Sequence, residues 1–562
     1  MPPPNFDALE SQRLDENVNQ VDGGFVNQIE PHLIPLNAAA RLLNVDPTTS
    51  GRLQKRLGPE PMGTPGVAPP TGLHIFNPGV QALNLMASTW GSNVYTSPGD
   101  DSWTRRATAV SLYPAGTQAV VGKINGLDTL FISNCDAYTG NASVPYGQLV
   151  ALDGNFGYTQ TSLQCRSLAW FQNRLFAYNL AFSGPTFLSW SKPLDGRDFS
   201  NGETVECAPG DNGVAVIPMR DGEPKLLLFN ERSIYMLEMY WASDGFYPLT
   251  ANALDFTKSL LRPISLGAGA VATRAITWVP GVNGGSADLM FLSRDGIRTL
   301  NRSSTDAQGG PAPPLSKPIQ ATIDRINWAA AHRSVSTFFD RFAYFAVPVD
   351  GSDNPNLVIA YDVTKNAWHE QDLPISAYAT GKIGTSQRFF FQAATSATET
   401  GLGSPASGIT NGYHVYEYGQ NLFDIGRQPI QFDYQTRDFT FTPQSPGAGL
   451  TFKKCLRAIN FSIQSANTHA TLTFQYKLDQ DDSWSDLGQV YIDPAAGFPY
   501  LNVTLPFSFS VAKVIRRSLS LRHLRPCFKA QFRIKDISSF SRLRLLDLTV
   551  DAYGRNEKFG GG

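Results

Sequence analysis

Residues 226–239 read LLLFNERSIYMLEM, and residues 287–300 read ADLMFLSRDGIRTL. Each is an apolar run, a short break at Asn230-Glu231 or Arg294-Asp295-Gly296, and a second apolar run. Alternating runs across a tight turn are the pattern of a β-hairpin. Successive strand side chains face opposite ways, and Asn, Asp and Gly accept the backbone angles a turn demands. The theme recurs in RSLAWFQNRLFAYNL at 166–180 and STFFDRFAYFAVPV at 336–349. Six such passages begin near Ala107, Ser167, Val214, Val271, Val335 and Ala377. Their spacing, roughly 45–65 residues, is the scale on which a four-stranded propeller blade repeats. One hairpin theme held over about 300 residues also exceeds what a single sandwich or barrel usually spans. The pattern therefore predicts an all-β chain with a β-propeller of about six blades over residues 105–424.

Outside that array the texture changes. Residues 1–104 read as an N-terminal extended arm with strands leading into the propeller. Apolar spacing in PLNAAARLLN at 35–44 predicts a short helix, and GPEPMGTPGVAPPTG at 58–72 predicts a loop or strap. A helical insertion is expected near 314–331, where Ile319, Ile323 and Ile326 share one face. Residues 425–562 hold seven strand-like segments: QFDYQTRDFTF, KKCLRAINFSIQ, ATLTFQYKL, QVYID, LNVTLPF, KAQFRIKD and RLRLLDLTVDAY. Seven strands over that length predict a C-terminal β-sandwich.

Composition narrows the function. Charged residues are 17 % of the chain, against about a quarter in ordinary soluble proteins, so much of the surface is neutral or covered by partners. A net charge of −2 argues against a chain-wide nucleic-acid binder. The five cysteines are scattered without a CxxC pair and read as buried reduced thiols. The first residues carry neither the basic nor the apolar stretch of a secretion signal, and no apolar run is long enough for a membrane segment.

No nucleophile elbow, P-loop or zinc-protease motif is present, and no two of the seven histidines stand at metal-ligand spacing. No catalytic, cofactor-binding or metal residue is therefore expected. Acidic clusters at Asp100-Asp101, Asp350–Asp353 and Asp479–Asp482 fall in predicted turns, where Asp bonds its own backbone. Paired carboxylates for glycoside hydrolysis, or a calcium site at Asp350, are the sharper alternatives. One charge bias stands out. Lys513, Arg516, Arg517, Arg522, Arg525, Lys529 and Arg533 are followed by Lys535, Arg542 and Arg544. This run is a candidate contact for double-stranded DNA or an acidic partner; a strand edge kept soluble by charge would look the same.

The order of several weak motifs carries a resemblance. Residues 22–58, DGGFVNQIEPHLIPLNAAARLLNVDPTTSGRLQKRLG, combine a Gly-Gly start, an Asn-Val strand and Gly-Arg-Leu-Gln-Lys-Arg-Leu-Gly. They are followed by SWSKPLDGRDFSNG at 189–202, KLLLFNERSIYML at 225–237, LSKPI at 315–319, QTRDFTF at 435–441 with FKKCLRAINFSI, and LLDLTVDAYG at 545–554. The series resembles the tail nozzle, or tail tubular protein B-like, family of short-tailed bacteriophages. It departs from that pattern at Phe25 and at Leu-Asp-Gly within 189–202.

The resemblance implies a structural virion protein, assembled in the cytoplasm of the bacterial host, and not an enzyme. Such subunits form a homo-oligomeric ring, typically a hexamer, below the portal and the adaptor (head-to-tail connector) protein. They close and extend the DNA exit channel and support tail fibres or other appendages. The alternative is a carbohydrate-binding or carbohydrate-degrading propeller of a tail fibre, prompted by the nine Trp and 20 Tyr that could stack on sugars.

Overall fold

The computed structural model describes residues 13–555 apart from internal stretches, the longest being 135–148, 242–253, 398–411, 442–452 and 493–512. The chain is nearly all β and is divided into many small sheets. Seven antiparallel groups of three or four strands follow one another, six as separate sheets and the sixth in order as one end of a larger sheet. They span residues 70–107, 117–160, 165–206, 213–265, 276–299 and 335–371, and then 375–421. The last takes its outer strand, Gly58–Pro61, from the N-terminal part of the chain.

Each sheet shares an apolar cluster with the next. Phe76 and Val94 meet Leu130 and Ile132; Phe131 meets Leu168 and Leu175; Phe176 and Trp190 meet Val216 and Leu228. Phe229 meets Phe291, Leu292 meets Phe345, and Tyr344 meets Phe389 and Phe391. The seventh sheet returns to the first, with Ala377 and Phe390 against Leu73 and Met86. The circuit is therefore closed. Burying one such side chain contributes about 1.5–3 kcal/mol, so a cluster outweighs any single polar contact across the same joint.

Those polar contacts set how the sheets face one another. Gln118 brackets Leu168 by accepting from its N–H (3.1 Å) and donating to its carbonyl (3.3 Å). Ser167 Oγ accepts from Val216 N (3.1 Å), Thr273 donates to Val214 O (2.8 Å), and Gln392 donates to Gly72 O (2.9 Å).

The other region is two larger sheets packed face to face. One has six strands and includes Lys453–Ser465, Lys513–Ser520 and Leu543–Arg555. The other contains Phe432–Gln435, Ala470–Leu478, Ser485–Ile492 and Ala530–Asp536. Their inner faces interlock through Ile459, Phe461 and Val550 on one side and Leu472, Phe474 and Ile534 on the other. Phe461 and Phe474 lie 4.7 Å apart, centroid to centroid.

The N-terminal segment stitches the two regions together. Arg13–Val18 pairs with Leu543–Arg555. Arg41–Leu43 lies between Ala367–Gln371 of the sixth sheet and Phe432–Gln435, which makes one continuous nine-stranded sheet. At Asn44 the chain leaves that sheet, and Val45–Pro47 pairs with Leu53–Lys55 in the other. Asn44 takes φ 56°, a left-handed angle that Asn tolerates. Its amide donates to Gln431 O (2.6 Å) while its Oδ1 accepts from Arg56 Nε (2.7 Å) and Asp372 N (3.2 Å). At Gly58 a Cβ would fall 1.5 Å from Phe423 O, so only glycine lets the strap approach that closely.

Several expectations change. The helix at 35–44 is absent: residues 41–43 form a strand, because pairing on both sides outweighs the apolar spacing. The circuit has seven strand groups, six of them separate small sheets, where the sequence shows six passages. The first, at 70–107, lies largely inside what reads as the arm, hidden by its Pro- and Gly-rich approach. The insertion near 314–331 is reduced to short helical turns over Lys317–Ile319, Gln320–Ile323 and, at its end, Ala331–Arg333, and Ile319, Ile323 and Ile326 are buried. LNVTLPF at 501–507 lies outside the described residues. Lys513–Ser520 is a strand that the sequence showed only as a charge run.

Candidate functional site

The basic run divides into two groups. Lys513, Arg516 and Arg517 sit on Lys513–Ser520, the end strand of the six-stranded sheet, whose strand partner among the described residues is Lys453–Ser465. Arg516 and Arg517 are exposed, as is Arg522 just beyond. The other candidates are engaged within the chain. Arg525 pairs with Asp481 (2.7 Å), Lys529 with the buried Asp438 (2.8 Å), and Arg533 forms a two-pronged pair with Asp433. Arg533 and Lys529 therefore hold the fold, because moving them would take a cation from two buried carboxylates and leave Asp433 only its longer contact to Arg41 (3.4 Å). Arg516, Arg517 and Arg522 remain as the surface that could meet a polyanion.

The acidic clusters serve turns and ion pairs. Asp100 Oδ1 accepts from Ser102 N (2.8 Å), Asp350 pairs with Arg325 (2.6 Å), and Asp479 Oδ1 accepts from Phe528 N (2.6 Å). Asp101 lies outside the described residues. Among the described residues no group of His, Cys, Asp or Glu is placed to hold a metal ion. Cys207 and Cys527 are buried thiols pushed up to about 12 by burial, which keeps them unreactive. Cys135 lies outside the described residues. No helix among the described residues is long and apolar enough to cross a membrane.

A second feature lies where the first strands of the sheets converge. A cavity of about 230 Å³ opens there, lined by Thr71, Gly116, Arg274, Arg333, Ser376 and Tyr413, among others. Arg274 crosses it, donating to Thr71 O (3.3 Å) and Ser376 O (3.0 Å), while its own carbonyl accepts from Ser336 N (2.8 Å). It thus ties the fifth sheet to the first, sixth and seventh. Gly116 holds φ 127°, and a Cβ there would fall 2.1 Å from the Arg274 guanidinium. A smaller cavity of about 130 Å³, lined by His74, Gln118 and Tyr378, shares Arg274 as a wall. Burial, followed by the Arg274 charge, pulls the His74 imidazole down to about 3, so it is neutral at physiological pH. Sequence reading missed these residues. Arg274 stands in VATRAITW with no motif around it, and only the closure of the circuit brings it to Thr71 and Ser376.

The third feature is the polar cluster at the junction. Arg56, wholly buried, pairs with Asp424 (2.5 Å) and Asp372 (3.2 Å). Lys55, equally buried, pairs with Asp536 (2.9 Å). Asp46 accepts from Gln371 (3.2 Å) and lies 3.6 Å from the buried His369. Burial pushes the Asp46 carboxyl up to about 6 against the pull of Arg56, although about a third of its side chain stays exposed. Burial, with Arg341, takes His369 down to about 3.

No family model matches the sequence, and no curated protein matches it. Among solved structures the chain is similar to BBS1N in its complex with ARL6DN, at 9 % identity and a TM-score of 0.36, over 66 % of this chain and 97 % of that one. It is also similar to Chaetomium thermophilum Raptor, at 10 % identity and a TM-score of 0.33, over 66 % of this chain and 30 % of that one. Similarity at this level carries no functional argument.

Proposed function

We propose that the closed circuit is a seven-bladed β-propeller, that the paired C-terminal sheets are a β-sandwich, and that the chain is a ring-forming tail nozzle subunit of a tailed bacteriophage. The observation that supports this most is the placement of residues 22–58. The segment that carries the family resemblance joins circuit to sandwich through Asn44, Lys55, Arg56 and Gly58. Motifs without chemistry make sense when they encode such a join.

In this reading copies meet head to tail around an axis, as a closed ring requires. Arg516, Arg517 and Arg522 face DNA in the exit channel or an acidic neighbour. The adaptor protein and tail fibres occupy the ring's two ends. Among the described residues neither cavity is lined by a carboxylate, the group that glycoside hydrolysis needs in pairs. Electron microscopy of the purified chain, and of the particle that contains it, tests the proposal. Closed rings, or density for the chain below a portal, support it. A monodisperse monomer at high concentration, absent from every particle, would overturn it.

A further inference from the structure

Asp46 and His369 face each other across the join. Asp46 stands on Val45–Pro47, in the six-stranded sheet, and His369 on Ala367–Gln371, in the nine-stranded one. Asn44 N donates to Glu370 O (2.8 Å) beside them, so the two strands meet here. Asp46 Oδ1 lies 3.6 Å from His369 Nε2, close but beyond a hydrogen bond. The imidazole is fully buried, and among the described residues neither ring nitrogen has a hydrogen-bond partner. Buried polar atoms are seldom left so without a reason. Asp46 keeps about a third of its side chain exposed, so a proton from solvent can reach it.

The surroundings decide where that proton goes. Asp46 is faced by Arg56 from the strap, Arg341 from the sixth group and Arg542 ahead of the last strand, and the Gln371 amide donates to it (3.2 Å). These favour a carboxylate, whereas burial, the larger influence, favours the neutral acid. Tyr344 and Tyr418 are the other titratable groups facing it, and burial pushes both hydroxyls up, so they stay neutral. Arg341 also faces His369 and opposes a charge on the ring. A proton entering the pair therefore settles on the carboxyl. The new O–H has an acceptor, because a neutral imidazole always carries one bare nitrogen.

We infer that Asp46 and His369 form a proton-operated latch between the circuit and the paired sheets, open at neutral pH and closed in mild acid by a carboxyl-to-imidazole hydrogen bond. One proton is taken up and no covalent bond between heavy atoms changes. Val45–Pro47 is then tied to Ala367–Gln371 by a side-chain bond as well as by the backbone bond at Asn44. The sign agrees with linkage. A carboxyl raised to about 6 favours the fold below that pH, and the advantage is lost as pH rises through it. The latch is independent of the tail reading, and either can fail alone.

The test is amide hydrogen exchange of the purified full chain between about pH 7.5 and 5, corrected for intrinsic rates, with thermal melts to show that each variant is folded. Exchange across 43–47 and 367–371 should slow about threefold or more on acidification, as one added hydrogen bond would give, with a midpoint near pH 6. Lys453–Ser465, away from the latch, should show no such step. His369→Phe removes the acceptor and should exchange fast at every pH. Asp46→Asn offers an amide N–H to the same nitrogen at every pH and should exchange slowly without a step. Should His369→Phe fail to fold, Asp46→Asn decides alone. A parent without the step would overturn the inference, as would a step that survives in either variant or spreads evenly over the chain.

Discussion

Tyr178 donates to Asn230 across a joint between neighbouring sheets, 52 residues away; Lys55 donates to Asp536 from 481 residues away. The circuit is built mostly from near neighbours in sequence, each joint with its own apolar cluster except the fifth-to-sixth, which shares the cluster of the paired sheets. The paired sheets and their strap are built from the chain's extremes and set ionic groups into the join. The first arrangement distributes stability over many small joints. The second concentrates it, and its buried charges tolerate little loss, because a stranded partner costs more than the intact pair gains.

Four changes would break or sharpen that contrast. The largest effect is expected for Lys55→Ala, which takes the ammonium away from Asp536, buried within the strand pairing. A loss of about 3–5 kcal/mol in denaturant unfolding is expected. The double replacement Lys55→Met with Asp536→Leu should recover most of it. A loss below about 1 kcal/mol in the single variant would show that the join does not depend on the pair.

Next is Leu228→Ala, which opens a void between the third and fourth sheets at about 2–5 kcal/mol. Hydrogen exchange should rise in those two sheets while Lys453–Ser465 stays protected. Uniform loss of protection would erase the distinction between distributed and concentrated stability.

The third effect depends on pH. His369 sits near 3 in the fold and near 6.5 when unfolded, so the unfolded chain takes up the proton first. Its contribution is intact above pH 6.5 and is lost progressively from there down towards pH 3, roughly 2–3 kcal/mol by pH 4.5. Asp46 runs the other way: its raised value makes the fold gain stability as pH drops from about 6 to 3.8. His369→Phe should therefore flatten the acid limb of a stability–pH curve, and Asp46→Asn should steepen it. An unchanged limb in both would remove these two groups from the account.

The smallest stability effect is expected for Arg516→Glu with Arg517→Glu, both exposed on an end strand and within about 0.5 kcal/mol of the parent. Their assembly or DNA retention should nonetheless fail. Normal particles would reduce this surface to solvated edge.

The same contrast explains what was legible. Hairpins such as Lys225–Asn230 with Ile234–Glu238 carry their period and turn within a dozen residues, so the passages from Ser167 onward lie at or within a few residues of the start of the third to seventh sheets. Residues 41–43 form a strand only because Ala367–Gln371 and Phe432–Gln435 flank them, and nothing local announces that. The basic run was visible as charge, but Asp433, Asp438 and Asp481, which claim three of its members, stand 44 to 100 residues away. Arg274 was invisible for the same reason: its partners Thr71 and Ser376 reach it only through closure of the circuit.

The pairing of Arg13–Val18 with Leu543–Arg555 has a consequence for how the molecule is made. Ribosomes add about 5–20 residues per second, so the first strand waits on the order of a minute for its partner to be synthesised. The middle hairpins can close in turn as they emerge, whereas Gly58–Pro61 must wait for Val415–Asn421, and the opening strand for nearly the whole chain. Until then the nascent chain trails an unclaimed strand within reach of other nascent copies. Slow release or dense polysomes would raise the chance that one copy's leading strand is captured by another copy's tail.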